Sequence, residues 1–124
     1  MKFAIIGSSA VGGYFGARLH EAGHTVYFLA RDSHLEAIRK NGLQIKSVAG
    51  DYKALNVESH ESVQIIPSVD VVLVAVKAWQ VSEIAPNLKS LAKGSTYFFP
   101  LQNGVEAHGF LEEVLGKERV LGRL

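Results

Sequence analysis

The stretch Lys2-Phe3-Ala4-Ile5-Ile6-Gly7-Ser8-Ser9-Ala10-Val11-Gly12-Gly13 decides the fold of this 124-residue chain. A short apolar run ends at Gly7, small residues follow, and a helical pattern begins near Gly12. This order predicts the strand, turn and helix that open a dinucleotide-binding βαβ unit. The amino end of such a helix presents unpaired N–H groups and a positive dipole to a phosphate. We expect a pyrophosphate to lie against Gly7, Ser8, Ser9, Ala10, Val11 and Gly12.

The glycine motif departs from G-x-G-x-x-G at its middle position, where Ser9 replaces glycine. Serine is small and its hydroxyl can donate to a phosphate, but its Cβ limits how closely the ligand approaches. We therefore expect the cofactor to bind more weakly or in a slightly displaced position. Since the motif alone is a weak signal, a tight turn that binds nothing is the structural alternative.

The composition is that of one globular domain without cysteine. Hydrophobic residues make up 48% of the chain and charged residues 20%, which is ordinary for a soluble protein. A net charge of +1 without a basic run argues against general binding to nucleic acid or anionic membranes. The absence of cysteine excludes disulfides and thiolate chemistry and favours a cytoplasmic protein. The apolar runs are too short for a signal peptide or a membrane span.

Strand and helix patterns alternate along the chain. The alternation predicts an α/β fold, a Rossmann-like doubly wound and mostly parallel sheet with helices on both faces. After the opening strand, the predicted strands are Thr25–Leu29, Leu43–Val48, Tyr52–Val57, Val69–Val76, Ser95–Phe99 and one that begins within Arg119–Leu121. The predicted helices are Val11–Ala22, Ser33–Lys40, Gln80–Leu91 (kinked or divided at Pro86) and Val105–Leu115. The strands Leu43–Val48 and Tyr52–Val57 should form a hairpin.

The end of the first helix and the residues after it contain a pattern that resembles a zinc site. His20-Glu21-Ala22-Gly23-His24 fits the H-E-x-x-H motif of zinc proteases. That motif needs both histidines on one face of a continuous helix, whereas Gly23 is expected to end this helix in a left-handed conformation. We therefore expect no metal site. The helix should bury its apolar residues at helical spacing, which are Val11, Phe15, Leu19 and Ala22. The remaining histidines of the chain, His34, His60 and His108, should lie at the surface.

The residue after the second strand bears on which dinucleotide binds. NAD sites usually place Asp or Glu there to bind the ribose 2′-hydroxyl, and here the position holds Arg31. A guanidinium can pair with a 2′-phosphate and stack on adenine, so Arg31 favours NADP(H). Two alternatives remain. Arg31 can be a solvated side chain at a helix start, and the neighbouring Asp32 can take the role of the acidic residue.

Four stretches together resemble the ketopantoate reductase (2-dehydropantoate 2-reductase) family. They are the turn Gly7…Gly12, the strand end Ala30-Arg31, Val72-Leu73-Val74-Ala75-Val76-Lys77-Ala78-x-Gln80, and Leu101-Gln102-Asn103-Gly104-Val105. The resemblance extends over essentially the whole chain, and the last two stretches are more specific than the glycine turn. The family reduces ketopantoate to pantoate with NADPH, on the route to pantothenate and coenzyme A.

The resemblance implies a role for each matching position. Gly7–Gly12 would hold the pyrophosphate of NADP(H), and Arg31 would hold the 2′-phosphate. Lys77 would lie over the cofactor near its phosphates and ribose, with Gln80 beside it. Asn103 would lie by the nicotinamide and the 2-oxo acid substrate, and is the candidate catalytic position.

The residues agree with this placement, with one alternative open. Lys77 and Asn103 both follow apolar strands, and open α/β sheets bind ligands at the carboxyl ends of their strands. A lysine directly after an apolar run is poorly placed for a plain solvated charge. Asn103-Gly104 is explained about equally well as a turn and helix start, because both residues tolerate positive φ.

The family also has a second, largely helical domain, which carries the lysine that acts as general acid and most substrate contacts. The resemblance thus implies that residues 1–124 are the dinucleotide-binding domain and that the general acid lies outside this chain; Lys77 is not given that role. We expect the chain alone to reduce ketopantoate poorly, because hydride transfer to a carbonyl needs a positioned acid.

Three functions follow from these observations. The first is the NADP(H)-binding domain of a ketopantoate reductase, the second a non-catalytic NADP(H)-binding regulatory module, and the third a reductase of another 2-oxo acid. A domain without its partner should expose apolar surface and self-associate. The residues expected to form that docking face are Phe110, Leu111, Val114 and Leu121.

Overall fold

The computed structural model describes residues 1–7, 10–29, 38, 40, 42–45, 50–54, 58–60, 62–76, 78–101 and 105–121. A five-stranded, entirely parallel sheet forms its centre, with the strand order β5-β2-β1-β6-β7. A separate antiparallel pair, β3-β4, lies outside this sheet. The strands are β1 (Lys2–Ile6), β2 (Thr25–Leu29), β3 (Leu43–Ile45), β4 (Tyr52–Ala54), β5 (Glu58–His60), β6 (Val71–Val74) and β7 (Tyr97–Pro100).

The helices confirm the predicted alternation. They are α1 (Ala10–Glu21), α2 (Ala78–Ile84) and α3 (Val105–Leu115), with 3-10 helices at Val63–Ile65, Ala85–Leu91 and Lys117–Arg119. Pro86 divides the predicted helix Gln80–Leu91, because its ring and its missing N–H do not fit the interior of an α-helix. Of the predicted helix over 33–40, residues 38 and 40 are described and both are helical. The N–H of Gly42 then donates to the carbonyl of Ile38, 2.9 Å away.

The sheet is covered on both faces, which confirms the doubly wound fold. Side chains such as Ile5 and Phe28 face α1. Alternate side chains on the opposite face, such as Val72 and Phe98, join one core cluster with α2, α3 and the 3-10 helix between them. Because β1 and β6 are buried on both faces, their sequences read as continuous apolar runs rather than as alternating patterns.

The hairpin is confirmed, but the strand that follows it was missed. The predicted strand Tyr52–Val57 ends at Ala54, and β5 then pairs with β2 at the edge of the main sheet. The sequence of β5 is Glu58-Ser59-His60, which has no apolar alternation. Pairing with β2, rather than residue type, makes it a strand.

The packing face of α1 agrees with the predicted one at Leu19, which packs partly buried against the core, but not at Phe15 or Ala22. Phe15 is 43% exposed, Ala22 lies beyond the helix end, and the side chain of Val11 is outside the described residues. The helix instead buries Gly12, Gly16 and Ala17. A Cβ added to Gly16 would lie 2.3 Å from Cζ of Phe28, so only glycine allows this approach to the sheet.

Two further expectations about exposure are wrong. Leu111 is fully buried in the core and Val114 is partly buried against it, whereas Phe110 and Leu121 are each 40% exposed. His108 is only 8% exposed, since it lies three residues before Leu111 on the inner face of α3.

The last predicted strand is present only as a single bridge at Val120. The 3-10 helix Lys117–Arg119 precedes Val120, which forms a parallel bridge with Phe98. The N–H of Leu121 donates to the carbonyl of Phe98, 2.8 Å away. Arg119 therefore belongs to the turn before the strand rather than to the strand.

Candidate cofactor site

The carboxyl ends of four strands are level with one another. Ile6 pairs with Leu29 of β2 and with Val74 of β6, and Val74 pairs with Pro100 of β7. Backbone hydrogen bonds continue past these ends, from the Ala75 N–H to the Ile6 carbonyl at 2.8 Å and from the Leu101 N–H to the Val74 carbonyl at 3.0 Å. The segments after β1, β2, β6 and β7 therefore all leave the sheet at one edge, where open α/β sheets bind ligands.

Gly7 and Gly12 are packed closely against the end of β6 at this edge. We call these two residues the cradle. Gly7 has φ +88°, and its N–H donates to the carbonyl of Leu29 at 3.3 Å. A Cβ on Gly7 would lie 2.8 Å from Cγ1 of Val76. Because neither this φ nor this approach suits a side chain, only glycine fits here.

Gly12 is required by the same packing. A Cβ added to it would lie 2.6 Å from the Cβ of Ala75 and 2.9 Å from the carbonyl oxygen of Gly7. The first turn of α1 is therefore held directly against the turn and the end of β6. This places the amino end of a 12-residue helix, which begins at Ala10, at the carboxyl edge of the sheet. The amino end of a helix is where an anion such as a pyrophosphate is favoured, by the first N–H groups and the helix dipole.

The predicted site residues divide into two groups. Gly7, Ala10, Val11, Gly12 and Gln80 lie in the described structure, with Gln80 partly buried in the first turn of α2. The remaining predicted site residues lie outside the described residues, so their contacts are not part of the structure; they are Ser8, Ser9, Arg31, Lys77 and Asn103.

The topology nevertheless fixes the order in which these segments leave the edge. Arg31 comes two residues after β2, Lys77 three residues after β6, and Asn103 three residues after β7. The glycine turn follows β1, between β2 and β6. Neighbouring strands lie about 4.8 Å apart, so the carboxyl ends of these four strands extend over roughly 14 Å of the edge. That distance suits an extended ligand rather than a compact one.

The opposite edge of the sheet is closed by its own contacts. The Lys2 N–H donates to Oδ2 of Asp70 at 2.7 Å, just before β6. The Thr96 hydroxyl donates to the Val69 carbonyl at 2.6 Å, and Nη1 of Arg119 donates to the Thr96 carbonyl at 3.1 Å. These hydrogen bonds between polar groups of the chain hold the amino ends of the strands and the segments before them together.

The two histidines of the H-E-x-x-H pattern do not lie on one continuous helix. The helix ends at Glu21, and Gly23 has φ +94°, as predicted. Nδ1 of His20 lies 2.7 Å from the Tyr52 hydroxyl, whereas Nδ1 of His24 lies 3.3 Å from the amino group of Met1. The two rings thus have separate partners. Among the described residues, no three His, Asp or Glu side chains are grouped to hold a metal.

Sequence reasoning missed two small residues that shape the site. Ala75 faces Gly12 across the cradle, and Gly16 brings α1 down onto β1 and β2. The four-residue spacing of Gly12 and Gly16, together with the alanine directly after the apolar strand, are the signals that could have identified them.

His108 is the one buried polar side chain among the described residues without a hydrogen-bond partner, at Nε2. It is the fourth residue of α3, which begins at Val105. A buried donor or acceptor without a partner costs free energy. This residue therefore contributes less to stability than an apolar side chain of similar size would.

Comparison with known proteins gives a consistent result. Residues 3–124 match the family model described as ketopantoate reductase PanE/ApbA. A 2-dehydropantoate 2-reductase from Nostoc sp. (strain PCC 7120) is 34% identical over 123 residues, covering 99% of this chain and 38% of the relative. The chain thus spans about two fifths of that relative's length.

Solved structures match the same part of the chain. The 2-dehydropantoate 2-reductase from Geobacter metallireducens GS-15 is 34% identical with a TM-score of 0.89, covering 97% of this chain and 40% of that one. A D-mandelate dehydrogenase solved with NADH and anilino(oxo)acetate is 27% identical with a TM-score of 0.84, covering 97% and 39%. In the described part of the chain, every helix is too short or too polar to cross a bilayer.

Proposed function

Because the chain belongs to the ketopantoate reductase family, we propose that residues 1–124 form the NADP(H)-binding domain of an oxidoreductase that reduces 2-dehydropantoate to pantoate. The observation that carries the proposal is the carboxyl edge of the sheet, with the Gly7–Gly12 cradle at its centre. The reaction is a step of pantothenate and coenzyme A biosynthesis, and a cytoplasmic location is part of the same proposal.

The order of segments along that edge suggests how the parts of NADPH are distributed. Arg31 leaves β2 at one end and binds the 2′-phosphate. The Gly7–Gly12 cradle binds the pyrophosphate beside it. Lys77 and Gln80 follow β6 and lie near the phosphates and ribose. Asn103 follows β7 at the far end, where it positions the nicotinamide and the substrate. This sequence of groups is the order in which they occur along the dinucleotide itself.

NADPH, when bound, supplies a hydride to the carbonyl carbon of a 2-oxo acid. The residues of this chain bind and orient the cofactor, and Asn103 offers an amide to the substrate side. Reduction also needs a positioned donor for the alkoxide that develops on the carbonyl oxygen. We assign that donor to the helical second domain rather than to Lys77. The 124 residues alone are therefore expected to bind NADPH without efficient turnover.

A second candidate is a reductase of another 2-oxo acid. The similarity to D-mandelate dehydrogenase favours it, since that protein shares the fold over 97% of this chain and was solved with the oxo acid anilino(oxo)acetate. Both candidates use this domain to bind the nicotinamide cofactor and differ in the substrate, for which we propose contacts mainly from the second domain. The partners proposed for this chain are thus a small 2-oxo acid and either that domain or a second copy of the chain.

Mapping of backbone amides by NMR tests where the cofactor binds. Addition of NADPH should shift the amide signals of Gly7 and Gly12, which form the cradle. Gly23 and Gly94 are matched controls, because both are turn glycines at the opposite edge of the sheet. Their signals should stay unchanged. Shifts confined to the two controls, or no shift at saturating NADPH, would refute the proposed site.

A further inference from the structure

His108 is a buried side chain whose ring nitrogen Nε2 has no hydrogen-bond partner. In the described part of the chain, the other buried polar side chain is Thr96, whose hydroxyl donates to the Val69 carbonyl at 2.6 Å. Most buried polar groups in folded proteins are paired in this way, because an unpaired one costs free energy. The unpaired nitrogen of His108 is thus a feature that packing alone does not account for.

His108 lies on the inner side of α3, near the amino end of the helix. Leu111 and Leu115, three and seven residues further on, are both buried in the core between the helices and the sheet. Helical side chains lean towards the amino end of their helix, so the imidazole lies over the first turn of α3. The helix begins at Val105, five residues after the end of β7. The unpaired nitrogen is therefore near the end of α3 that adjoins the proposed nicotinamide site.

The place of His108 in the helix pairs it with Asn103. Because α3 begins at Val105, Gly104 takes the N-cap position and Asn103 the position before it. His108 is the fourth helical residue. The side chain before the N-cap and the side chain at the fourth helical position commonly pack against each other, usually as an apolar pair. Here the pair consists of an amide and an imidazole, which can form a hydrogen bond.

We infer that His108 is a positioning residue for Asn103: when the cofactor binds, the Nε2–H of His108 donates to Oδ1 of Asn103. The inference rests on the proposed function, in which Asn103 lies beside the nicotinamide. A side-chain amide has one acceptor oxygen and two N–H donors. A bond to its oxygen therefore leaves its donors for the ligand, where they suit the carbonyl and carboxylate oxygens of a 2-oxo acid.

The free chain shows the same nitrogen unpaired. Hydrogen bonds of an active site are often absent or long without ligand and form in the complex. An apolar residue at this position would suit the free chain better, since it would leave no buried group unpaired. The imidazole is thus expected to lower stability and to raise the affinity for the nicotinamide end of the cofactor.

Isothermal titration with NADPH and with 2′-phospho-ADP-ribose, which lacks the nicotinamide, tests this expectation. His108→Leu should raise the Kd for NADPH about fivefold, as for one lost hydrogen bond, and leave the Kd for 2′-phospho-ADP-ribose unchanged. The same substitution should raise the thermal midpoint by roughly 4 °C, because it removes the unpaired nitrogen. His108→Gln keeps a side-chain N–H close to the place of Nε2 and should bind NADPH within about twofold of the unchanged chain.

NMR of the histidine ring nitrogens supplies a direct signature of the bond. Addition of NADPH should shift the Nε2 signal of His108 in the unchanged chain, and Asn103→Ala should abolish that shift. His20 and His24 are matched controls in the same spectrum, because their rings already have partners at the other end of α1. Their signals should stay where they are.

Each outcome decides the inference. If His108→Leu changes both Kd values alike, or neither, His108 does not position Asn103. A fall in the thermal midpoint of this variant would show that Nε2 is already paired in the free chain, and would overturn the inference. A shift of the Nε2 signal that persists in Asn103→Ala would do the same. Failure of the unchanged chain to bind NADPH would refute the proposed function together with the inference, so the two failures are distinct.

Discussion

Replacement of Gly12 by alanine should lower the free energy of unfolding by about 2 kcal/mol. The added Cβ would lie 2.6 Å from the Cβ of Ala75 and 2.9 Å from the carbonyl oxygen of Gly7, and neither atom belongs to a flexible side chain. Overpacking of this kind lowers the free energy of unfolding by roughly 3 kcal/mol. The higher helix propensity of alanine offsets roughly 1 kcal/mol of this loss. For a chain of this length the thermal midpoint should fall by roughly 8 °C, which calorimetry measures.

Gly109 is the matched control for this substitution. It also lies within a helix, but a Cβ added to it would have no atom within 4 Å. Gly109→Ala should therefore raise the free energy of unfolding by about 1 kcal/mol through helix propensity alone. The two substitutions should move the midpoint in opposite directions. If both raise it, α1 does not pack on the sheet through Gly12.

Replacement of Arg31 by alanine should raise the Kd for NADPH about 100-fold and leave the Kd for NADH nearly unchanged. A guanidinium paired with a 2′-phosphate makes charge-assisted hydrogen bonds, and the loss of about 2.7 kcal/mol corresponds to that factor. NADH has no 2′-phosphate, so it does not use this interaction. Isothermal titration of the unchanged chain and of the Arg31→Ala variant with both nucleotides measures this difference in Kd.

Arg18→Ala is the control for the loss of a positive charge. Arg18 lies in the last turn of α1, towards the opposite edge of the sheet, where Nη1 is 2.9 Å from Oε1 of Glu21. Its removal should leave the affinity for NADPH intact. Asp32→Ala separates the remaining alternative. If Asp32 binds a ribose 2′-hydroxyl, the Asp32→Ala variant should bind NADH more weakly. The Arg31→Ala substitution should then change the Kd for NADPH and the Kd for NADH alike.

The sequence predicted most of the sheet, because its buried parallel strands are continuous apolar runs. Thr25–Leu29 and the helix Val105–Leu115 have the predicted bounds. The glycines that end elements were also recognisable, since Gly7 and Gly23 have positive φ. These are local properties, and the residues that determine them are adjacent in the chain.

Features that depend on distant residues were missed. β5 is a strand because β2 lies beside it, and its polar sequence gives no sign of that neighbour. The inner face of α1 is lined by Gly12 and Gly16 because Ala75 and Phe28 come close. A count of apolar residues favours Phe15 instead. His108 was expected at the surface with the other scattered histidines, although its position on α3 relative to Leu111 places it inside.

The candidate site shows the same division. The cradle of Gly7 and Gly12 was predicted from residue type and spacing, and the structure confirms its packing. The assignments of Arg31, Lys77 and Asn103 stay predictions from motif and resemblance. What the structure adds to them is the level carboxyl ends of β2, β1, β6 and β7, which no short motif contains.

Parallel titrations of the purified 124-residue chain with NADPH and with NADH test the proposed function most directly. We predict saturable binding of NADPH by one site per chain, at least about tenfold tighter than NADH, which corresponds to roughly 1.4 kcal/mol from the 2′-phosphate. Ser9 is expected to lower the affinity for both nucleotides without removing the preference for NADPH. Equal affinities, tighter binding of NADH, or binding of neither nucleotide would contradict an NADP(H)-binding domain.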